Sequence, residues 1–201
     1  MSQTTKGSQM RLILMGPPGA GKGTQARVIA DRYSVPAIST GDIFRTNVAA
    51  GTALGIAAKA YMDAGKYVPD EVTNDMVRDR LSQPDCATGF LLDGYPRTAD
   101  QVKVLDALLD DAQISLLGVL VLDVDTDALV QRLLSRAAVE GRADDTEDVI
   151  RHRQEIYQEQ TAPLIAEYDA RGLLQKVDGA GRVDHVTDRV HTAIARLRAG
   201  R

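Results

Sequence analysis

Apolar residues in this chain fall into short continuous runs, separated by longer stretches in which they recur every three or four positions. The run "RLILM" at 11–15 ends at a glycine-rich segment and reads as a buried strand. The runs at 36–40 ("PAIST"), 89–94 ("GFLLDG"), 116–124 ("LLGVLVLDV") and 173–178 ("LLQKVD") read the same way. Helical spacing marks 24–33, 70–82, 98–109, 126–138, 146–171 and 183–197. Strands alternating with helices argue for an α/β architecture whose parallel sheet is covered on both faces. Ligands of such sheets sit beyond the carboxyl ends of the strands. Chemistry is therefore expected just after Met15, Ile38, Leu92 and Asp123.

Two segments depart from this alternation. Residues 40–68 are mostly helical and too long for an ordinary crossover, which suggests a small inserted unit. Residues 136–142, "RAAVEGR", place a Gly and two Arg between helical stretches, as a plain turn or a short lid.

The segment 16–24, "GPPGAGKGT", follows the first strand and opens a helix, the context that makes a glycine loop a phosphate cradle. Gly19, Gly21 and Gly23 give the backbone access to conformations that aim N–H groups at an anion. The helix N-terminus adds positive potential, and Lys22 supplies a point charge. The usual pattern puts Ser or Thr directly after the lysine, to ligate Mg²⁺. Here Gly23 intervenes and the hydroxyl arrives at Thr24, so the metal is held another way or the loop is damaged.

Asp93 ends the apolar run of "LLDGYPR", facing the glycine loop. It suits a carboxylate holding Mg²⁺ or its water shell, or simply a strand-end Asp-Gly turn. Arg97 follows Pro96 in a constrained loop, a presentation that suits bidentate phosphate binding. Arg45 follows "STGDIF", Arg132 and Arg136 share a helix face, Arg142 ends the candidate lid and Arg153 lies beyond it. Each alone reads more readily as a solvated charge. Together they match phosphoryl transfer between two nucleotides, where positioned cations are the main catalytic resource. Asp144 and Asp145 read as helix-capping acids or as a hinge for the lid. His152, His185 and His191 read as surface residues.

Composition narrows the classes. The 201 residues suit one compact domain. A net charge of −4, and aromatics at 4% with no Trp, argue against a nucleic-acid partner. The single cysteine, Cys86, excludes an internal disulfide and reads as a small residue in a turn. Residues 1–9 are polar with no apolar signal region, and read as a disordered leader. No run is long enough to span a membrane, so no membrane partner and a cytoplasmic location are expected.

With these motifs in hand the chain resembles the adenylate kinases from Met10 nearly to its end. The ordered motifs that carry the likeness are "GPPGAGKGTQA", "ISTGDIFR", "LLDGYPRTADQ", "GRADDTEDVIRHR" and "TAPLI". The resemblance implies an α/β fold of P-loop NTPase type, with three layers and a five-stranded parallel sheet. It implies one kinase domain over 10–201, with an AMP-binding insertion at 39–68 and a short lid at 135–141. It answers the loop question too, because Gly-Lys-Gly-Thr is the family's normal form. Mg²⁺ would bridge nucleotide phosphates and complete its shell largely with water, helped by Asp93.

Carried over by position, the resemblance implies that Gly19, Ala20, Gly21, Lys22, Gly23 and Thr24 bind ATP phosphates. Arg132 and Arg136 would also meet ATP, and the backbone of Gly181 would lie near its adenine. AMP would be bound by Thr40, Arg45, Lys66, Tyr67, Val68, Gly94, Tyr95, Pro96, Arg97 and Gln101. Thr40 and Gln101 would stand on the base side, and Arg142 and Arg153 at the AMP phosphate and transferring group. Lys22, Asp93, Arg97, Arg132, Arg136, Arg142 and Arg153 form the expected catalytic set. The substrates would be ATP, AMP and ADP, and the working form a monomer. Many bacterial relatives carry a long lid with a zinc-binding cysteine cluster. This lid is short and has no cysteine, so no structural zinc is expected there. Uridylate/cytidylate kinases share the short lid, but typically have Ala at the position of Thr40 and Asn at that of Gln101. This chain sides with adenylate at both. A nucleotide-binding switch without transfer is the reading from another class, and no guanine-reading Asn-Lys-x-Asp stretch supports it. Hinges are expected near Gly41, Gly65 and Gly141.

Overall fold

The computed structural model describes residues 10–125, 129, 132–133 and 146–200. The expectations about the leader, the lid at 135–141, Arg136, Gly141, Arg142, Asp144 and Asp145 lie outside the described residues. Five strands form one parallel sheet in the order β2-β3-β1-β4-β5. They are β1 (Met10–Met15), β2 (Ala37–Ser39), β3 (Gly89–Asp93), β4 (Gly118–Asp123) and β5 (Leu174–Asp178). The helices are α1 (Lys22–Tyr33), α2 (Thr40–Ala49), α3 (Ala53–Asp63), α4 (Asp70–Leu81), α5 (Ala99–Asp111), α6 (Glu147–Ile156), α7 (Pro163–Ala170) and α8 (Val183–Ala199).

The continuous apolar runs are explained by burial on both sheet faces. Alternate residues of β1 point to opposite layers. Leu12 and Leu14 pack with Ile29 of α1 and with Val190 and Ile194 of α8. Ile13 and Met15 pack with Leu105 of α5 and Tyr168 of α7. Each such side chain contributes roughly 1.5–3 kcal/mol relative to exposure. A third, much smaller cluster of Phe44, Ala58 and Val68 holds α2 and α3 together beside the sheet. No helix among the described residues is long and apolar enough to cross a membrane.

Three local expectations are corrected. The apolar run at 36–40 does not end as a strand at Thr40, because Ser39 caps α2 by accepting from the Asp42 N–H at 3.3 Å. The stretch 146–171 is not one helix. Pro163 has no N–H to continue the ladder, and the chain widens there into a π turn at Tyr157–Thr161, with Ala162 N donating to Tyr157 O at 2.8 Å. His191 is not a bare surface residue: its Nδ1 lies 3.3 Å from the Tyr33 hydroxyl, and burial lowers its pKa.

Candidate active site

The carboxyl ends of β1, β2 and β3 open into a cavity of about 330 Å³. The glycine loop forms one wall. Gly21 caps α1 with φ +90°, and Gly19 stands at φ +86°, where a Cβ would come within 3.0 Å of the Leu129 carbonyl oxygen. Gly23 differs from expectation. It lies inside the first turn of α1 with no left-handed φ, and a Cβ there would meet nothing within 4 Å. Its contribution is clearance for a ligand. The Lys22 ammonium folds back on the loop, donating to Gly16 O at 2.7 Å and Pro17 O at 3.0 Å. A phosphate competes well against these neutral carbonyls, because it adds the attraction of a full negative charge to the ammonium.

Asp93 ends β3 and lines the same cavity at 8% exposure. Burial raises its pKa. Lys22, then Arg97, then Arg45 pull it back down, and Asp42 pushes it up. A hard cation takes oxygen ligands, and magnesium commonly uses one or two carboxylates plus phosphates and water. Asp93 with the cavity-lining Thr24 fits that donor set. Among the described residues no group of three His, Cys, Asp or Glu forms a ready cage.

Arg97 is the most firmly built cation of the opposite wall. Its Nε donates to Gly94 O at 2.7 Å, and its guanidinium carbon lies 4.8 Å from the centre of the Tyr67 ring. Its backbone N–H donates to Gln101 Oε1 at 2.7 Å, and its carbonyl accepts from the Thr161 hydroxyl at 2.9 Å. Neither terminal guanidinium nitrogen has a hydrogen-bond partner among the described residues, so the fork is left for an anion. Arg45 lines the cavity and pairs through one guanidinium nitrogen with Asp42 at 2.5 Å. Arg153 and Arg132 line it too, and Arg132 lies 3.5 Å from Gly179 O.

The remaining residues expected to bind AMP are brought together with different orientations. Thr40 is buried and donates to Gly94 O at 2.9 Å. Lys66, Tyr67, Val68, Gly94, Pro96 and Gln101 all line the cavity. Tyr95 is there as well, but its hydroxyl is turned into the core, donating to Asn74 Oδ1 at 2.7 Å and Gln101 O at 3.2 Å. Burial raises its pKa. Ala20 and Gly181 do not line the cavity. Ala20 is packed at 3% exposure beneath the loop.

The sequence reading passed over several residues of this site. Thr161 is 5% exposed, and its hydroxyl lies 2.9 Å from the Tyr67 hydroxyl as well as bonding to Arg97 O. Tyr157, one π turn earlier, lines the cavity, and burial pushes its phenol up to about 12. Gln154 donates to Pro18 O at 2.9 Å, tying α6 to the glycine loop. The sequence signal was Pro163 inside an otherwise helical stretch.

Comparison with known proteins agrees with this geometry. A family profile described as adenylate kinase matches residues 14–173. An adenylate kinase of a Nocardioides species is 63% identical over 92% of this chain and 97% of that protein. Those of Kocuria rhizophila and Thermobifida fusca are 58% and 54% identical, each over 92% of this chain and over 99% and 98% of their own lengths. A cavity joining a phosphate cradle to a second set of arginines, in a chain so closely related along most of its length, belongs to a member of the adenylate kinase family.

Proposed function

We propose that this chain catalyses reversible, Mg²⁺-dependent transfer of the terminal phosphoryl group of ATP to AMP, giving two ADP. The observation that carries this is a single cavity with the glycine loop on one side and Arg45, Arg97 and Gln101 on the other. One polyphosphate would need only the first wall.

The loop residues Gly19, Gly21, Lys22, Gly23 and Thr24 hold the ATP phosphates, with backbone amides and the Lys22 ammonium as donors, and Ala20 packs beneath them to support the loop. Arg132 and Arg136 add charge on that side, and Gly181 borders the adenine. Arg97 presents its fork to the AMP phosphate, with Arg45, Arg142 and Arg153 around it. Thr40 and Gln101 stand on the base side, and Lys66, Tyr67, Val68, Gly94, Tyr95 and Pro96 shape the pocket. Magnesium, when bound, would supply charge neutralisation for the phosphates, and Asp93 would help to hold it through water. Residues 39–68 form the AMP-binding unit and 135–141 the short lid, whose closing keeps water from the phosphoryl group. With Cys86 the only cysteine, no zinc is needed. We read the working form as a cytoplasmic monomer without nucleic-acid or membrane partners. The acidic balance supports the lack of a nucleic-acid partner, and sedimentation at the 21.7 kDa monomer mass checks the oligomeric part.

The test offers ATP and Mg²⁺ with AMP, UMP, CMP or GMP in turn and separates the products. ADP formed with AMP alone, reversible from ADP and lost on chelation, is the expected result. Preferential transfer to UMP or CMP would overturn the acceptor assignment. Bound ATP with no transfer to any acceptor would overturn the enzymatic reading.

A further inference from the structure

Gln101 lies in the first turn of α5 at 1% exposure, and its side-chain amide is held at both ends. Nε2 donates to Asp70 Oδ1 at 2.7 Å, and Oε1 accepts from the Arg97 backbone N–H at 2.7 Å. A carboxylate only accepts and a backbone N–H only donates. Turning the amide over would set its oxygen against the carboxylate and its NH₂ against the N–H. Its polarity is therefore fixed by its neighbours before any ligand arrives. Asp70 is itself held: Oδ2 accepts from the Thr98 hydroxyl at 2.5 Å, and that hydroxyl oxygen accepts from the Gln101 N–H at 3.2 Å.

These contacts use one donor and one acceptor of the amide, leaving one N–H and one Oε1 lone pair. Gln101 lines the cavity, so that pair is what a base meets. Adenine offers a 6-amino donor beside the N1 acceptor. Hypoxanthine, otherwise nearly the same shape, offers an O6 acceptor beside an N1–H donor. An amide free to turn reads either edge.

We propose that Asp70 is a specificity-determining residue of the acceptor site, a positioning residue that locks the Gln101 amide so that 6-aminopurine monophosphates are accepted and 6-oxopurine ones rejected. This rests on Gln101 being the base contact. An acid in the first turn of α4 also favours the helix dipole, but that role alone leaves base preference untouched.

The test compares kcat/KM for AMP and inosine monophosphate, with saturating MgATP, in wild type, Asp70→Asn and Gln101→Met. In Asp70→Asn the Thr98 hydroxyl keeps an acceptor, and the new Nδ2 faces Gln101. That favours the turned amide against the opposing Arg97 N–H and brings the two orientations towards balance. The inosine-to-adenosine ratio is expected to rise about tenfold, the scale of one buried polar mismatch. It should collapse towards parity in Gln101→Met. Loss of discrimination in Gln101→Met with an unchanged ratio in Asp70→Asn would overturn the role of Asp70 alone. Discrimination retained in Gln101→Met would overturn the base-contact reading and the inference with it. Both substitutions nearly preserve shape, and matched thermal unfolding curves separate any folding loss from a change in ratio.

Discussion

At the residue scale the site is built from groups held away from their comfortable state. Asp93 is the clearest. Burial raises its pKa despite Lys22, Arg97 and Arg45, so the native state holds a proton there more tightly than the unfolded chain does. Stability attributable to this group is therefore present at low pH. It falls as pH rises from the ordinary aspartate value through the raised native one, then levels off. An ionised Asp93 is thus a net cost to the ligand-free fold at neutral pH. Asp93→Asn is predicted to unfold at a higher temperature than wild type, with a gap that opens across that window and is steady above it. The same variant should lose about 10- to 100-fold in Mg²⁺-dependent turnover, the usual scale for a partner of a metal's outer shell. Unfolding curves from pH 4 to 8, run beside turnover, check both halves. A variant less stable than wild type at pH 7 would mean that the three cations outweigh burial.

At the element scale the π turn at Tyr157–Thr161 links the end of the α6 stretch to the cavity wall that carries Arg97. Turns of this kind recur at functional sites because the extra residue re-aims side chains. Here it brings the Thr161 hydroxyl to both the Arg97 carbonyl and the Tyr67 hydroxyl, and the Tyr67 ring lies under the Arg97 guanidinium. Thr161→Val keeps the shape and removes both bonds. It should cost about 1–3 kcal/mol of stability, since buried partners lose their bonds. It should also lower kcat/KM for AMP about tenfold while leaving the KM for ATP near wild type, and Thr161→Ser should restore most of the loss. Equal losses for both nucleotides would make Thr161 a packing residue only. This element also shows where the sequence stopped being legible. The strands could be read because residues buried on both faces leave continuous apolar runs, and the glycine loop because its residues are adjacent. Thr161, Asp70 and Gln154 act through partners 64, 31 and 136 positions away, and no local pattern marks such pairings. Helical spacing carried the reading straight through Pro163. Thr40 reads as strand from sequence because Ser39 is both the last residue of β2 and the cap of α2, so no turn residue separates strand from helix.

At the scale of the whole molecule the fold sets a well-filled sheet against a thinly cored insertion. The two clusters on the sheet faces bring together residues from all five strands and from α1, α4, α5, α7 and α8. The cluster under α2 and α3 has three buried members, Phe44, Ala58 and Val68. Local opening free energy follows buried apolar contact, so α2 and α3 should open well below the free energy of global unfolding. The insertion is fastened to the rest near its two ends, where Thr40 donates to Gly94 O at 2.9 Å and the Tyr67 and Thr161 hydroxyls lie 2.9 Å apart. A ligand that engages Arg45 on α2 and Arg97 on the sheet side would add a third fastening across the cavity. Backbone amides of α2 and α3 are therefore predicted to exchange with deuterium faster than those of β1, β3 and β4 in the free protein. AMP at about a hundred times its dissociation constant should slow them by up to about a hundredfold, the linkage limit for a ligand bound only to the closed form. If MgATP is held chiefly by the glycine loop, as proposed, MgATP alone should slow them far less. Peptide-resolved hydrogen exchange with each nucleotide separately decides the matter. Exchange of α2 and α3 as slow as that of the central strands would show that the small cluster is stronger than its size implies. Equal slowing by MgATP would show that the two walls of the cavity move as one body, and that closing the site on the acceptor does not need the acceptor.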